Sequence, residues 1–279
     1  MKYRARRGVV LTGAAVLTLL MPGTLAAAQN RTLQSVELCN GRSSPDRQIM
    51  GCTALIGSGS ATAQSLALAY NNRGNAYTAK GDYDRAISDY DHSIKLNANH
   101  ARAFNNRGVA YQKKGEYDRA IKDFDEAIRL NPNNANAFAN RAETYRSTGE
   151  YDRSVRDYDE AIRLRPASEA LWNGRCWTRA IVGELEAGLA DCNEALRLER
   201  SAATLDSRGL IHLKMGKWDL AIDDYSSALR LDPKLAGSLY GRGLARLKTG
   251  DTTGGNADIG AAKEIESSIV EEFARYGVR

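Results

Sequence analysis

Between residues 67 and 269, apolar residues recur at helical spacing in paired stretches, and a glycine separates the members of each pair: Gly81, Gly115, Gly149, Gly183, Gly216 and Gly250. Glycine accepts a left-handed backbone, so it ends the first stretch and lets the chain reverse. Pro132, Pro166 and Pro233 mark a second break before the next pair, because proline lacks the amide that would continue a helix. The pattern predicts helical hairpins with arms of about a dozen residues. NNRGNAYTAKGDYDRAISDYDHSI (71–94), NNRGVAYQKKGEYDRAIKDFDEAI (105–128) and ANRAETYRSTGEYDRSVRDYDEAI (139–162) follow one another at a spacing of 34 residues, and weaker copies occupy 172–196, 205–229 and 239–262. The units are 67–100, 101–134, 135–168, 169–201, 202–235 and 236–269. A fixed period of this length predicts an all-α solenoid whose units bury their apolar faces only against their neighbours. Such an array offers a long curved surface suited to holding another molecule.

Small residues stand mid-way along the first helices (Gly74, Gly108, Ala142, Gly209, Gly243) and early in the second (Ala86, Ala120, Ser154, Ala221). They predict close backbone approach. Tyr70, Phe104, Phe138 and Trp172 on first helices, with Tyr90, Phe124, Tyr158 and Tyr225 on second helices, predict an aromatic core layer. Arg73, Arg107, Arg141, Arg175, Arg208 and Arg242 each precede the small level of a first helix, and Asp89, Asp123, Asp157, Asp191, Asp224 and Asp258 lie late in the second helices. Folding at the glycine sets these levels opposite each other, which predicts an internal Arg–Asp ladder. A row of ligand-binding arginines is the alternative.

The run from Ala67 to Ile269 resembles a tetratricopeptide repeat array over about three-quarters of the chain. The aromatic, Gly/Ala, Tyr, Gly, Ala, Tyr/Phe, Ala and Pro positions match that family's pattern at its spacing. Departures are the arginine where the family usually has leucine, Gly188 and Gly255 in place of the small alanine, and Arg179 and Arg246 in place of tyrosine. The Asn-Arg-Gly tripeptide is similar to bacterial versions of the repeat. The resemblance implies a right-handed superhelix of about six hairpins with the first helices lining its concave face. Carried onto this chain, that lining comprises Asn71, Asn75, Arg102, Asn105, Gln112, Lys113, Asn136, Glu143, Arg146 and Trp177, with Lys214 beyond. Amides can donate to and accept from an extended peptide backbone, so a protein or peptide partner is implied. Some relatives grip a peptide carboxylate with Lys, Arg and Asn. Asn71, Asn75 and Asn106 match the amides of such a set, whereas Asn136 and Asn140 stand where its basic residues are needed.

Residues 1–28 differ in kind. Lys2, Arg4, Arg6 and Arg7 precede an apolar run from Val9 to Leu20, Pro22 and Gly23 break it, and Ala26 to Ala28 offer a cleavage site. This resembles a secretory signal peptide cut after Ala28. The run is too short for a stable membrane anchor, and Arg6-Arg7 admits a twin-arginine route as the alternative. The segment carries four basic and no acidic residues, so the formal charge of +5 falls to +1 without it. Nothing then predicts nucleic-acid binding by counter-ion release.

Cysteine usage agrees with export. Cys176 and Cys192 take the small and aromatic levels of repeat four, which face each other across the hairpin, and predict a disulfide. Cys39 and Cys52 predict a second one within an N-terminal helical cap (29–66) that has helices at 31–39 and 46–56, a turn at 40–45 and a Gly/Ser/Ala connector at 57–65. Neither pair has the close spacing of a zinc ligand pair. Ser268 with Glu271 predicts a capping box opening a C-terminal capping segment over repeat six (270–279), whose Ile269, Val270, Phe273 and Tyr276 share one face. His92, His100 and His212 have no nucleophile or metal spacing, and Gly57-Ser58-Gly59-Ser60 lacks the lysine of a phosphate loop. The sequence implies a non-enzymatic interaction scaffold without cofactor, periplasmic or secreted in a bacterium. The alternatives are a self-associating structural repeat protein and a noncatalytic subunit that positions envelope or secretion enzymes.

Overall fold

The computed structural model describes residues 33–41 and 43–278. The export segment expected over 1–28, and position 31, lie outside the described residues. Two short helices come first: α1 over residues 33–40 and α2, Pro45–Gly57. Six hairpins follow: α3 (Ala63–Ala79) with α4 (Tyr83–Leu96), α5 (Ala101–Lys113) with α6 (Tyr117–Leu130), and α7 (Ala135–Ser147) with α8 (Tyr151–Leu164). The rest are α9 (Glu169–Val182) with α10 (Leu185–Leu198), α11 (Ala202–Lys214) with α12 (Trp218–Leu231), and α13 (Ala236–Thr249) with α14 (Thr252–Ile265). A short helix, α15 (Ile269–Arg275), closes the chain. The expected connector at 57–65 is shorter than its composition implies. Thr62 accepts a hydrogen bond from the Ser65 amide, and this N-cap lets α3 begin at Ala63.

All six turn glycines have positive φ, from 71° at Gly216 to 92° at Gly250. The small residues of the first helices permit close approach: a Cβ on Gly108 would lie 2.7 Å from the Phe124 ring, and one on Gly74 would lie 2.6 Å from Tyr90. Tyr90, Phe124 and Tyr225 are almost fully buried, at about 25 cal/mol per Å² of apolar area removed from water. First helices of successive repeats touch one another, whereas no two second helices do. The array therefore curves with its first helices inside.

The Arg–Asp ladder is complete. In every repeat Nε and Nη2 of the arginine donate to the two oxygens of the aspartate, at 2.6–2.9 Å. Nη1 reaches back to the preceding unit, and this third arm was not foreseen. It meets Asp91 from Arg107, Asp125 from Arg141, Asp159 from Arg175, Asn193 from Arg208 and Ser226 from Arg242. Arg73 sends the same arm to Thr53 of α2, so the cap is engaged as though it were a preceding repeat.

Both cysteine pairs lie at bonding distance, Cys39–Cys52 with sulfurs 2.08 Å apart and Cys176–Cys192 at 1.94 Å. The C-terminal expectation needs correction. Ser268 makes no side-chain cap to α15; its hydroxyl bonds Glu266 instead. The helix covers more than repeat six, since Tyr276 reaches Trp177 of repeat four.

Replacing Asp123 with alanine leaves Arg107 only its arm to the exposed Asp91, with Nε and Nη2 unfilled in a side chain that is 19% exposed, and such a loss costs up to about 3–5 kcal/mol. Asp123→Ala therefore lowers the urea midpoint, and adding Arg107→Leu recovers most of the loss. The double-mutant cycle measures the coupling, and two neutral single changes would mean that the ladder does not hold the fold.

Candidate partner-binding groove

The concave face is built from the first helices, and its polar residues are divided between two tasks. One set staples neighbouring repeats together. Asn106 Nδ2 donates to Oδ1 of Asn71 (3.1 Å) and of Asn75 (2.9 Å), and Asn140 Nδ2 donates to Asn105 Oδ1 at 3.0 Å. Asn72 Nδ2 reaches Asn40 Oδ1 of the cap, Ser207 Oγ reaches Asn173, and Ser238 Oγ reaches Asp206. Two predicted groove residues belong to this set. Asn71 is 4% exposed and its amide is donated to Asn72, so it lies beneath the open surface. Asn105 donates to Asn106 while accepting from Asn140. Their amides serve the inter-repeat contact before any partner, because the stagger of successive first helices brings them within reach of each other. Lys214 is similarly engaged: Nζ donates to the carbonyls of Ala180 and Ile181 at the end of α9.

The second set is open. Arg102, Lys113 and Asn136 are exposed, Gln112 is half-buried, and none of these four side chains bonds a described residue. Asn75 is exposed but accepts from Tyr90 Oη and Asn106. Glu143 and Arg146 are half-buried further along.

From repeat four onward the lining turns apolar: Trp177, Leu210, Leu213, Tyr240 and Leu244. This half is covered by the chain itself. The Tyr276 ring meets Trp177 edge-on with centroids 5.2 Å apart, and Phe273 meets Tyr240 at 4.8 Å. Ile269 and Phe273 are 1% and 3% exposed. Trp177, expected in the partner-binding lining, thus packs against Tyr276. The sequence carries a signal for this cover, because the lining positions change from amides to large apolar residues just where an amphipathic terminal segment is available to bury them. A cavity of about 280 Å³ remains beside Val278, walled by Leu185, Leu213, Trp218 and Leu244 with Lys214 and Lys248 at its edge.

Charge under the cover is unevenly satisfied. Burial, with Glu272 of α15 adding negative charge nearby, pushes the Asp206 carboxyl from 3.8 up to about 6 against the lowering effect of its Ser238 hydrogen bond. The fully buried Tyr225 hydroxyl next to it has no hydrogen-bond partner among the described residues. Glu272 instead accepts from Tyr276 Oη. Arg146 leaves its buried Nε unpartnered among the described residues and lies within electrostatic reach of Tyr276.

Family models described as tetratricopeptide repeat match residues 101–134 and 124–156, and one described as TPR repeat matches 74–115 and 209–250. No curated protein matches the chain. Among solved structures, a tetratricopeptide repeat protein from Parabacteroides merdae superposes with a TM-score of 0.69 at 16% identity, covering 90% of this chain and 99% of that one. YrrB, described as a TPR protein with an unusual peptide-binding site, gives 0.52 at 16% identity over 68% of this chain and 98% of its own. PilW, a type IV pilus biogenesis factor, gives 0.56 at 16% identity over 59% and 77%. At this identity the likeness concerns the fold.

Asp206 yields a signed prediction. Its folded pKa of about 6 lies above the ordinary 3.8, so the folded state binds more protons between those values. This group therefore makes the fold more stable as pH falls through 6 and costs stability above it. Asp206→Asn, which still accepts from Ser238, raises stability at pH 7.5 by of the order of 2 kcal/mol. It also flattens the pH dependence between 4 and 7 in urea titrations. An unchanged midpoint at pH 7.5 would contradict the assignment.

Proposed function

The chain is a tetratricopeptide repeat protein, and we propose that it is a non-enzymatic scaffold of the bacterial cell envelope that holds an extended protein or peptide segment on the open half of its concave face. The observation that carries this is the row of unengaged polar side chains on the first helices of repeats two and three: Arg102, Gln112, Lys113 and Asn136. Arg102 and Lys113 donate, and Gln112 and Asn136 both donate and accept, which suits a peptide backbone and its polar side chains. Asn75 extends the row into repeat one, and Glu143 and Arg146 continue it toward repeat four. Asn71 and Asn105 support the row from below. YrrB is a structural neighbour whose description includes a peptide-binding site, in keeping with this use of the fold.

An extracytoplasmic location is supported by three observations. The first 28 residues have the tripartite form of an export signal. Four cysteines form two pairs at bonding distance, with no free cysteine among the described residues. One neighbour is a pilus biogenesis factor. None of the described helices is long and apolar enough to cross a membrane.

Photo-reactive groups at Gln112 and Asn136 in native envelopes should crosslink a partner. Alanine at Arg102, Lys113 or Asn136 should weaken its capture by about 1 kcal/mol each with no change in thermal midpoint. Loss of capture on charge reversal at Lys122 and Arg156, with the groove changes silent, would move the binding surface to the outer face. Terminal mapping of the exported protein should begin at Gln29, and non-reducing peptide maps should link Cys39 to Cys52 and Cys176 to Cys192. An intact 1–28 segment on a cytosolic protein with four free thiols would defeat the location.

A further inference from the structure

The covered half of the groove differs from the open half in chemistry, and its cover is a poor match to what lies beneath. We propose that the concave face of repeats four to six is a second docking surface, for an amphipathic partner helix with aliphatic, aromatic and aromatic side chains at positions i, i+4 and i+7 and a basic side chain at i+3, and that residues 269–278 occupy it in the unbound protein. The proposal rests on the groove being the partner-binding face.

The resident segment defines the shape. Ile269, Phe273 and Tyr276 stand at i, i+4 and i+7 and share the face that meets Tyr240 and Trp177. The resident is also weakly held by its own structure. Helix α15 has seven residues, well below the about 12–15 at which an isolated helix becomes marginal in water. It lacks a side-chain cap at Ser268. Only Glu266, Ser267 and Ser268 join it to α14, so it can leave without unwinding a repeat.

Charge defines the partner. The residue at i+3 of the resident is Glu272, and it adds its charge to that of Asp206, a partly buried carboxylate. Asp206 accepts one hydrogen bond, from Ser238, and forms no ion pair among the described residues. The unpartnered Tyr225 hydroxyl lies beside it. An acceptor site under an apolar cover is completed by a donor, and a Lys or Arg in place of Glu272 replaces a nearby negative charge with a positive one that offers such a donor. Departure of the resident also bares Trp177, which joins the open half of the groove to the apolar half.

The test uses the full chain and two labelled synthetic peptides, residues 266–278 in native sequence and the same peptide with Glu272→Lys. The lysine peptide should bind wild-type protein about tenfold more tightly than the native one, a typical coupling for a close charge pair. In Asp206→Asn protein that preference should vanish. Protein carrying Phe273→Ser and Tyr276→Ser should bind both peptides more tightly than wild type, with its helical signal retained. Equal binding of the two peptides to wild-type protein overturns the charge assignment. Failure of the emptied groove to bind either peptide, or unfolding of repeats four to six in that variant, overturns the docking surface and makes α15 a structural lid. Sedimentation showing dimers that exchange this segment would make a second copy the occupant and overturn the proposal. Crosslinking at Gln112 and Asn136 reads the open half alone, so the two proposals can fail separately.

Discussion

The arginine at the seventh position of each repeat is the constraint on which the array depends. Its side chain is 12–26% exposed, and that of its aspartate partner 4–9%. A charge taken that far from water must have its donors filled, and a planar fork facing a carboxylate fills two of them at fixed geometry. The third donor crosses to the previous unit, to Asp91, Asp125 or Asp159 in the regular repeats. One side chain thus closes its own hairpin and fixes the register of the next interface. The leucine usual at this place in the family could pack but could not specify both. Because a solenoid is stable only through its units and their nearest-neighbour contacts, placing both terms on one residue makes each repeat conditional on its neighbour.

The departures of the later repeats follow from the same carboxylates. In repeats one to three a tyrosine lies under a second-helix arginine: Tyr77 with Arg85, Tyr111 with Arg119, and Tyr145 with Arg153, at 3.9–4.8 Å from guanidinium carbon to ring centroid. In repeats four to six the tyrosine level holds Arg179, His212 and Arg246, and the arginine level holds Ala187, Leu220 and Gly254. Arg179, His212 and Arg246 each approach the ladder aspartate of their own repeat. The basic group has moved from the second helix to the first and changed from resting on a ring to contacting the carboxylate. Repeat four also loses its aromatic at Cys192, and the pair with Cys176 takes up the space.

Much of this was legible because it is local in sequence. The turn glycines, the ladder and both cysteine pairs join residues at most 16 apart within one hairpin, where helical period and a single reversal fix who faces whom. The third arm of each arginine spans a similar 15–20 residues but crosses between units, so the hairpin rule did not reveal it. The amide staples were hidden for a stronger reason. Asn106 meets Asn71 across 35 residues, and that meeting depends on the stagger of successive first helices, which the period alone does not encode. Reading Asn71 and Asn105 as free groove residues overlooked the obligation of buried and half-buried amides to find partners. The terminal helix was recognised as an apolar stripe needing cover, but its landing place was set by Trp177 and Tyr240.

The two halves of the groove follow from how an inner surface resolves its hydrogen bonds. In repeats one to three the inner positions are amides and charges, some bonded to each other and some left to solvent, so no cover is needed. In repeats four to six they are rings and leucines, which water penalises, and contacts between neighbouring first helices are most extensive there, joining α9 to α11 and α11 to α13. An apolar lining favours a bound segment over open water. The chain supplies such a segment in α15, yet brings the negative Glu272 into the neighbourhood of Asp206 instead of a cation. A cover that satisfies the apolar requirement and leaves the electrostatic one unmet excludes water while leaving affinity in reserve for a better-matched segment.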